Sequence, residues 1–335
     1  MSQIGTIDCG YLTEIMIEAD KAWLDPMKNA DLVADANTAK AVLANQQVKM
    51  GPLTVKDKKN IVALEWLTAC DATTQACTDD CTIEGVDAIP ECKEYEISCL
   101  QESTFKVPDR HYRERTIDAA QSIAFNLEKR KKLLDEYIAQ YILTGLVANA
   151  GVNTYTGGIG TVAGATTTIA AANWNDSIWG YFDLVARLNK FQSAYGITGT
   201  NLYQLIFNRS LEVGNADGKG NFAKMNTLKM FLDPENVEVI APATTFLLHK
   251  TAVAFVNKSW YPLGAANAVE LMADQMAWSE ASRNLPGVTY DVITKRTCYA
   301  NEYYTAFKVQ LHGLFAVNPT PCTETNNGIL QFACS

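Results

Sequence analysis

The clearest pattern of apolar positions starts near Asp109. Pro108-Asp109 stops any preceding strand and supplies a candidate helix cap. Ile117, Ala120, Ala124, Leu127, Leu134, Ile138 and Tyr141 then recur at three- and four-residue steps, with Lys131 as the one break in the row. These steps predict a helix of about 30 residues, about 45 Å long. That is long for a compact domain, where three to four turns are usual. Glu128-Lys129-Arg130-Lys131-Lys132 crosses its middle, and reads as a solvated face or as a contact with an acidic neighbour.

The other elements are shorter. Residues 1–50 carry weak periodicity, with one short helix suggested by Thr38, Ala39, Val42 and Leu43, and read as an arm. Ile61 to Leu67 and Tyr95 to Leu100 look like strands flanking a polar, acidic segment, a long hairpin-like loop. Such a loop has too little apolar surface to stand alone and needs support, for instance from another subunit. A second amphipathic helix runs from a cap at Asn175 or Asp176 to a stop at Gly196, with Ile178, Phe182, Val185, Leu188 and Phe191 inward. Leu202 to Phe207 and Glu235 to Ile240 read as strands. Phe246 to His249 reads as a strand that turns into a helix over Thr251 to Val256. A third helical pattern covers Ala265 to Ser282, through Val269, Met272 and Met276. Val288, Tyr290 and Val292 alternate. So do Tyr303, Thr305, Phe307, Val309, Leu311, Phe315 and Val317, against Tyr304, Ala306, Lys308, Gln310 and His312. A run of about fifteen residues at period two spans about 50 Å. Helices mixed with largely antiparallel strands define the α+β class.

Composition narrows the classes of function. The chain has 335 residues, 48% of them apolar and 19% charged, which is globular rather than disordered. The net charge is −9. That sign argues against tight wrapping of nucleic acid, while a passive wall facing it remains compatible. The richest apolar stretch, Leu133 to Ala148, carries Asp135 and Glu136, so no membrane-spanning helix is expected. The opening MSQIGTIDCG has no basic region before an apolar core, so no secretory signal is expected and synthesis in a reducing cytoplasm is the default.

Nine cysteines complicate that default. Five of them, Cys70, Cys77, Cys81, Cys92 and Cys99, fall in one stretch spaced C-x6-C-x3-C-x10-C-x6-C. No C-x-x-C pair is present and no histidine lies inside the cluster, which is poor zinc spacing. Free thiols and disulfides formed after the protein leaves the cell both fit. The odd count leaves at least one thiol free or paired with another chain.

Chemistry is sparse. No G-x-S-x-G, H-E-x-x-H or P-loop motif occurs. Gly158-Ile159-Gly160-Thr161-Val162-Ala163 matches G-x-G-x-x-A, but Thr166-Thr167-Thr168-Ile169 after it favours a strand where a dinucleotide site needs a helix. His111, His249 and His312 are far apart and lack a sequence-adjacent nucleophile. No catalytic, cofactor-binding or metal-ligating residue is assigned, and no cofactor.

The order of elements resembles the major capsid proteins of tailed phages, the Hong Kong phage type of shell fold. The resemblance covers nearly the whole chain and is one of order and spacing. It rests on HYRERTIDAAQSIAFNLEKRKKLLDEYIAQYIL as the long spine helix and on NLYQLIFNRSLEV and VEVIAPATTFLLHKTAVAFVNKSWY in the axial domain. VTYDVITKRTCYANEYYTAFKVQLHGLFAVNP marks the return to the peripheral domain, and AVNPTPCTETNNGI resembles the family's C-termini. It implies an N-terminal arm over 1–50, a cysteine-rich extended loop over 51–108, a peripheral domain with the spine helix over 109–195, an axial domain over 196–284, and a return to the peripheral domain over 285–335.

The function implied is that of a structural subunit, not an enzyme. Copies would form pentamers and hexamers of an icosahedral head around double-stranded DNA without gripping it specifically. Its partners would be copies of itself and scaffold, portal and other virion proteins, with no membrane. It would assemble in the host cytoplasm and reside in the virion. In that setting Cys70, Cys77, Cys81, Cys92 and Cys99 sit in the loop that overlaps neighbours and become candidates for disulfides, some between subunits. Competing readings are an encapsulin-like shell subunit, a soluble α+β enzyme with a thiol or carboxylate site, and another virion part such as a tail or decoration protein.

Overall fold

The computed structural model describes residues 32–56, 59–66, 91–108, 119–191, 193–206, 222–225, 228–272, 274–299, 302–319 and 326–335. In chain order the elements begin with α1 (Asn37–Asn45), β1 (Val48–Lys56), β2 (Lys59–Trp66), β3 (Glu91–Glu96), β4 (Ser98–Pro108) and α2 (Ala119–Asn149). Next come β5 (Gly160–Ala163), β6 (Thr166–Ile169), α3 (Ile178–Leu188), β7 (Ala194–Thr198), β8 (Phe222–Met225), β9 (Leu228–Leu232) and α4 (Pro234–Ile240). The chain closes with β10 (Thr244–His249), β11 (Val253–Asn257), β12 (Val269–Met272), β13 (Gln275–Ala281), β14 (Thr289–Tyr299), β15 (Glu302–Val317) and β16 (Ile329–Cys334). This is an α+β chain with mostly antiparallel pairing, as the apolar pattern predicts. No described helix is long and apolar enough to cross a membrane. The described residues fall into two compact units, one drawn from 1–36, 97–139 and 257–314, the other from 37–96, 140–256 and 315–335.

In the first unit β12, β13, β14 and β15 lie side by side, and β4 pairs with β15. Thr305, Phe307, Val309 and Leu311 are buried while Tyr304, Ala306, Lys308 and Gln310 are half-exposed, so the period-two pattern names the two faces correctly over 304–311; at the ends it fails, with Tyr303 exposed, His312 buried, and Phe315 and Val317 half-exposed. From His312 to Leu314 every residue is buried. The first part of α2 buries Ile123, Leu127, Leu134 and Ile138. Leu127, Leu134 and Ile138 belong to the expected row, while its Ala124 and Tyr141 are only half-buried and Ile123 is not in it. The expected start of this helix, before 119, lies outside the described residues.

The helix expected over Ala265–Ser282 is absent. A 3₁₀ turn at Ala265–Asn267 leads into the β12–β13 hairpin. Gly264 and Asp274 take φ of 87° and 65°, left-handed backbone that a continuous helix does not allow. The apolar spacing came from two strands that alternate separately.

The second unit is built on a seven-stranded sheet ordered β5-β6-β16-β10-β7-β9-β8. Its core packs Ile178, Phe182 and Val185 of α3 with Leu247, Leu330 and Phe332 of the sheet. The last described strand, β16, lies between β6 and β10, a central position that the sequence pattern missed. α3 ends at Leu188, short of Gly196, because Lys190 turns left-handed with φ 60°. Gly196 is instead a strand residue. A Cβ there would run into Met230 Sδ, so a larger residue would force that methionine to shift between β7 and β9.

Three further expectations change in this unit. Leu202 ends a 3₁₀ turn and residues 203–206 form one helical turn, not a strand. Thr198 Oγ1 donates to Asn201 Oδ1 at 2.9 Å, so the chain leaves the sheet there. Glu235–Ile240 lies in α4, because Asp233-Pro234 places proline at a first-turn position suited to its fixed φ. Thr251–Val256 is a turn and a strand. The Ala252 N–H donates to the His249 carbonyl at 3.0 Å, and His249 Nδ1 lies 2.7 Å from Thr251 Oγ1, which closes a tight turn into β11.

The predicted short helix exists as α1, and it is docked rather than free. Ala39, Ala41 and Val42 are fully buried. The Thr38 N–H donates to Asp233 Oδ2 at 2.8 Å, and Asn37 Nδ2 to the Leu232 carbonyl at 2.9 Å. A carboxylate at a helix N-terminus satisfies donors that the helix itself leaves open. The first 31 residues of the expected arm lie outside the described residues.

Candidate functional site

Strands β1, β2 and β3 form a separate antiparallel sheet in that order, so the expected hairpin around the polar excursion is present. One face of β2 presents Val62, Leu64 and Trp66, all fully buried. The chain itself therefore covers this face and supplies part of the support the loop was expected to need. β1 is different. Met50 and Val55 are 47% and 74% exposed, and the strand is irregular between Met50 and Leu53, where Gly51-Pro52 interrupts its pairing. Lys49–Glu65, Lys56–Glu94 and Lys59–Glu96 cross the strands at 3.9, 3.2 and 2.7 Å. Such exposed pairs contribute about 0–1 kcal/mol each, so they fix register more than stability.

Of the five candidate cysteines, Cys92 and Cys99 are exposed free thiols. Cys92 lies in β3 and Cys99 in β4, on different sheets. Burial, and then the neighbouring Glu102, push the Cys99 thiol above its ordinary value. Cys70, Cys77 and Cys81 lie outside the described residues. Among the described residues no group of three or more His, Cys, Asp and Glu could hold a metal.

The fold also brings together a serine, an aspartate and a histidine that sequence left apart. Ser279 of β13 and Asp291 of β14 are register partners, with Ser279 Oγ 2.5 Å from Asp291 Oδ1. His312 Nδ1 of β15 lies 3.0 Å from Asp291 Oδ2, and the Trp260 N–H donates to both carboxylate oxygens at 3.0 and 3.2 Å. These are the residue types of acyl-transfer chemistry in the wrong order. A nucleophilic triad needs the imidazole facing the hydroxyl with the carboxylate behind it. Here the carboxylate stands between them, and all three side chains are buried. The group ties β13, β14 and the Trp260 segment together. His249 sits in the β10–β11 turn, where burial and then Lys250 hold its pKa below the usual value. His111 lies outside the described residues.

Gly160–Ala163 and Thr166–Ile169 form a hairpin, with Gly164 at φ 62° in its turn. No helix follows directly, so the G-x-G-x-x-A match lacks the helix N-terminus that binds phosphate. A cleft of about 420 Å³ is lined by Asp183, Arg187, Lys190 and Phe191. Arg187 Nε donates to Asp183 Oδ2 at 2.8 Å, and no nucleophile–base pair faces the cleft among its lining residues.

The charge run of α2 is only partly a solvated face. Lys129 is exposed, but Glu128 and Lys131 are buried. Lys131 Nζ pairs with Glu128 and lies 3.1 Å from Glu280 Oε2 of β13, and Arg283 Nε lies 3.3 Å from Glu128 Oε1. One turn on, the fully buried Asp135 accepts hydrogen bonds from Ser282, Asn284 and Tyr290. Sequence pattern alone did not single out Asp135, Glu280 or Tyr290. The signal was the break at Lys131, a charge in an otherwise apolar row.

No family model matches the chain, and no curated protein matches it. Solved structures do resemble it. The capsid of Ralstonia phage GP4 is 10% identical, with a TM-score of 0.45 over 84% of this chain and 85% of that one. The asymmetric unit of the bacteriophage PhiM1 mature capsid is 8% identical, with a TM-score of 0.43 over 84% of each chain. The capsid structure of cyanophage P-SCSP1u is 11% identical, with a TM-score of 0.39 over 88% of this chain and 86% of that one.

Proposed function

We propose that the chain is a major capsid protein, a structural subunit that self-assembles into the pentamers and hexamers of an icosahedral phage head around double-stranded DNA. The observation that carries this is β1. A nine-residue strand at the edge of a small sheet leaves Met50 and Val55 open to solvent, in the segment that the sequence resemblance makes the overlapping loop. Apolar side chains held out on an ordered strand are surface for a neighbour. The order of elements supports the same function: small sheet, 31-residue helix, mixed sheets and a 16-residue strand. So does the geometry at Ser279, Asp291 and His312, which is built for holding strands and not for acyl transfer.

The finer parts of the proposal follow the resemblance. A separate scaffold, a portal and other virion proteins are its partners, and assembly takes place in the host cytoplasm. A net charge of −9 suits a wall that encloses DNA without binding it. The domain plan is arm, extended loop, peripheral and axial domains over the ranges given above. Cys70, Cys77, Cys81, Cys92 and Cys99 form disulfides, some between subunits, once particles leave the reducing cell.

Sedimentation velocity of the full chain with negative-stain images of each boundary tests the proposal. Shells, or rings of five or six, support it. A compact monomer or dimer with ordinary friction at every concentration overturns it.

A further inference from the structure

One cluster inside the first unit sets three carboxylates, Glu128, Asp135 and Glu280, against two cations, Lys131 and Arg283. Both cations are engaged by Glu128 and Glu280. Asp135 is fully buried, and the side chains that donate to it are neutral. Tyr290 Oη of β14 donates to Oδ1. Ser282 Oγ lies 2.9 and 3.0 Å from the two oxygens, and Asn284 Nδ2 donates to Oδ2 at 2.9 Å. Ser282 Oγ also accepts the N–H groups of Asn284 and Leu285 at 3.1 and 3.0 Å, so the carboxyl is wired to the backbone of the turn that follows β13.

The geometry points to a proton-sensing clasp: as pH falls, Asp135 takes up one proton from solvent ahead of exposed aspartates, and α2, the turn after β13 and β14 are then held together more strongly. A buried negative charge among neutral donors is costly even when its lone pairs are filled. Adding one proton brings the five-group cluster to neutrality. The protonated oxygen has two acceptors in reach, Tyr290 Oη and Ser282 Oγ, and gives up one present hydrogen bond to use either. The other charged groups nearby do not supply the missing cation. Lys132 and Glu136 of α2 pair with each other at 3.7 Å, and Glu280 and Arg283 face Lys131 and Glu128.

The sign follows from burial. Burial outweighs the donors from Tyr290, Asn284 and Ser282 and the weaker attraction of Lys131, and raises the Asp135 carboxyl above its ordinary value. The folded chain therefore holds a proton at pH values where the unfolded chain has lost it. This contribution to stability is complete below the unfolded carboxyl value of about 3.9, and is lost as pH rises through the folded value. Glu128 is raised in the same direction, also by burial.

Infrared titration of the full chain carrying [13C]aspartate tests the proposal. A protonated-aspartate band is expected to grow ahead of the ordinary aspartates as pH falls, and to be absent in Asp135→Asn. The folded-to-unfolded ratio in urea should rise as that band grows, by no more than about tenfold per pH unit for one proton. Glu128→Gln should keep the aspartate band. If Asp135→Asn does not fold, the wild-type band still decides. Aspartate protonation confined to about pH 3.9 and below, or an early band that survives in a folded Asp135→Asn, overturns the proposal.

Discussion

Phe105 of β4 and Phe307 of β15 sit directly opposite each other across an antiparallel pair, ring centroids 4.7 Å apart and planes 2° from parallel. Both are almost fully buried. The contact fixes which residue of β4 meets which residue of β15, and so sets the register of a strand that enters from the small β1–β3 sheet. A slip of one residue would turn Phe105 to the other face. Phe307→Ala is expected to cost about 3–5 kcal/mol. A double-mutant cycle with Phe105→Leu should show coupling of about 0.5–1.5 kcal/mol. Additive effects would mean that the rings only share a core.

Legibility from sequence followed period and punctuation. β15 was readable because Thr305, Phe307, Val309 and Leu311 face one way over a long run. α3 was readable because Ile178, Phe182 and Val185 share one face. Short pieces failed where composition competed with local stereochemistry. Val237, Val239 and Ile240 look like a strand, yet Asp233-Pro234 starts a helix. Val269, Met272 and Met276 fit a helical spacing, yet Asp274 at φ 65° makes a hairpin. The buried charges were legible only as an anomaly at Lys131. Their partners Glu280, Ser282 and Tyr290 lie about 150 residues further on, and sequence spacing carries no such contact.

Gly145 of α2 faces Phe315 of β15, and a Cβ there would lie 2.5 Å from two ring carbons. Alanine in a helix normally gains about 1 kcal/mol over glycine. Overpacking a close contact costs about 1–3 kcal/mol. The clash is with a ring that is half-buried, so it moves only in part. Gly145→Ala is therefore expected to be neutral to destabilising by about 2 kcal/mol, and Gly145→Val clearly destabilising. A denaturant midpoint that rises for alanine would show that Phe315 swings away freely.

The thiols should differ in reactivity on a single chain. Cys92, Cys99 and Cys298 are exposed, and Cys334 is half-buried. Cys99 is held above its usual pKa, first by burial and then by Glu102. Its thiolate fraction at pH 8 is thereby reduced, and the thiolate is the reactive form. Alkylation of the native reduced protein, read by peptide mass spectrometry, should label Cys92 before Cys99. Glu102→Gln should speed Cys99. Mature particles should run as linked species on non-reducing gels if the proposed disulfides form, and as monomers throughout if they do not.

Lys131 offers the sharpest test of how the interior charges act together. Its ammonium is buried between Glu128 and Glu280, and the attraction of Glu280 and then Glu128 raises its pKa despite the opposing cost of burial. Its contribution is therefore complete below the unfolded lysine value and is lost as pH rises through the folded one. Methionine fills similar space without the charge. Lys131→Met leaves two interior carboxylates without their shared cation, a loss of about 3–5 kcal/mol. Those carboxylates can answer by taking up protons, and Glu128 is already raised by burial. The deficit of Lys131→Met should thus be larger at pH 8 than at pH 5. Adding Glu128→Gln and Glu280→Gln should recover part of it at pH 8, because well-packed neutral groups replace buried ion pairs at little cost. Thermal midpoints of the wild type, Lys131→Met and the triple variant at the two pH values supply the comparison. An equal deficit at both, with no recovery in the triple variant, would mean that Lys131 acts through packing of its stem and not through its charge.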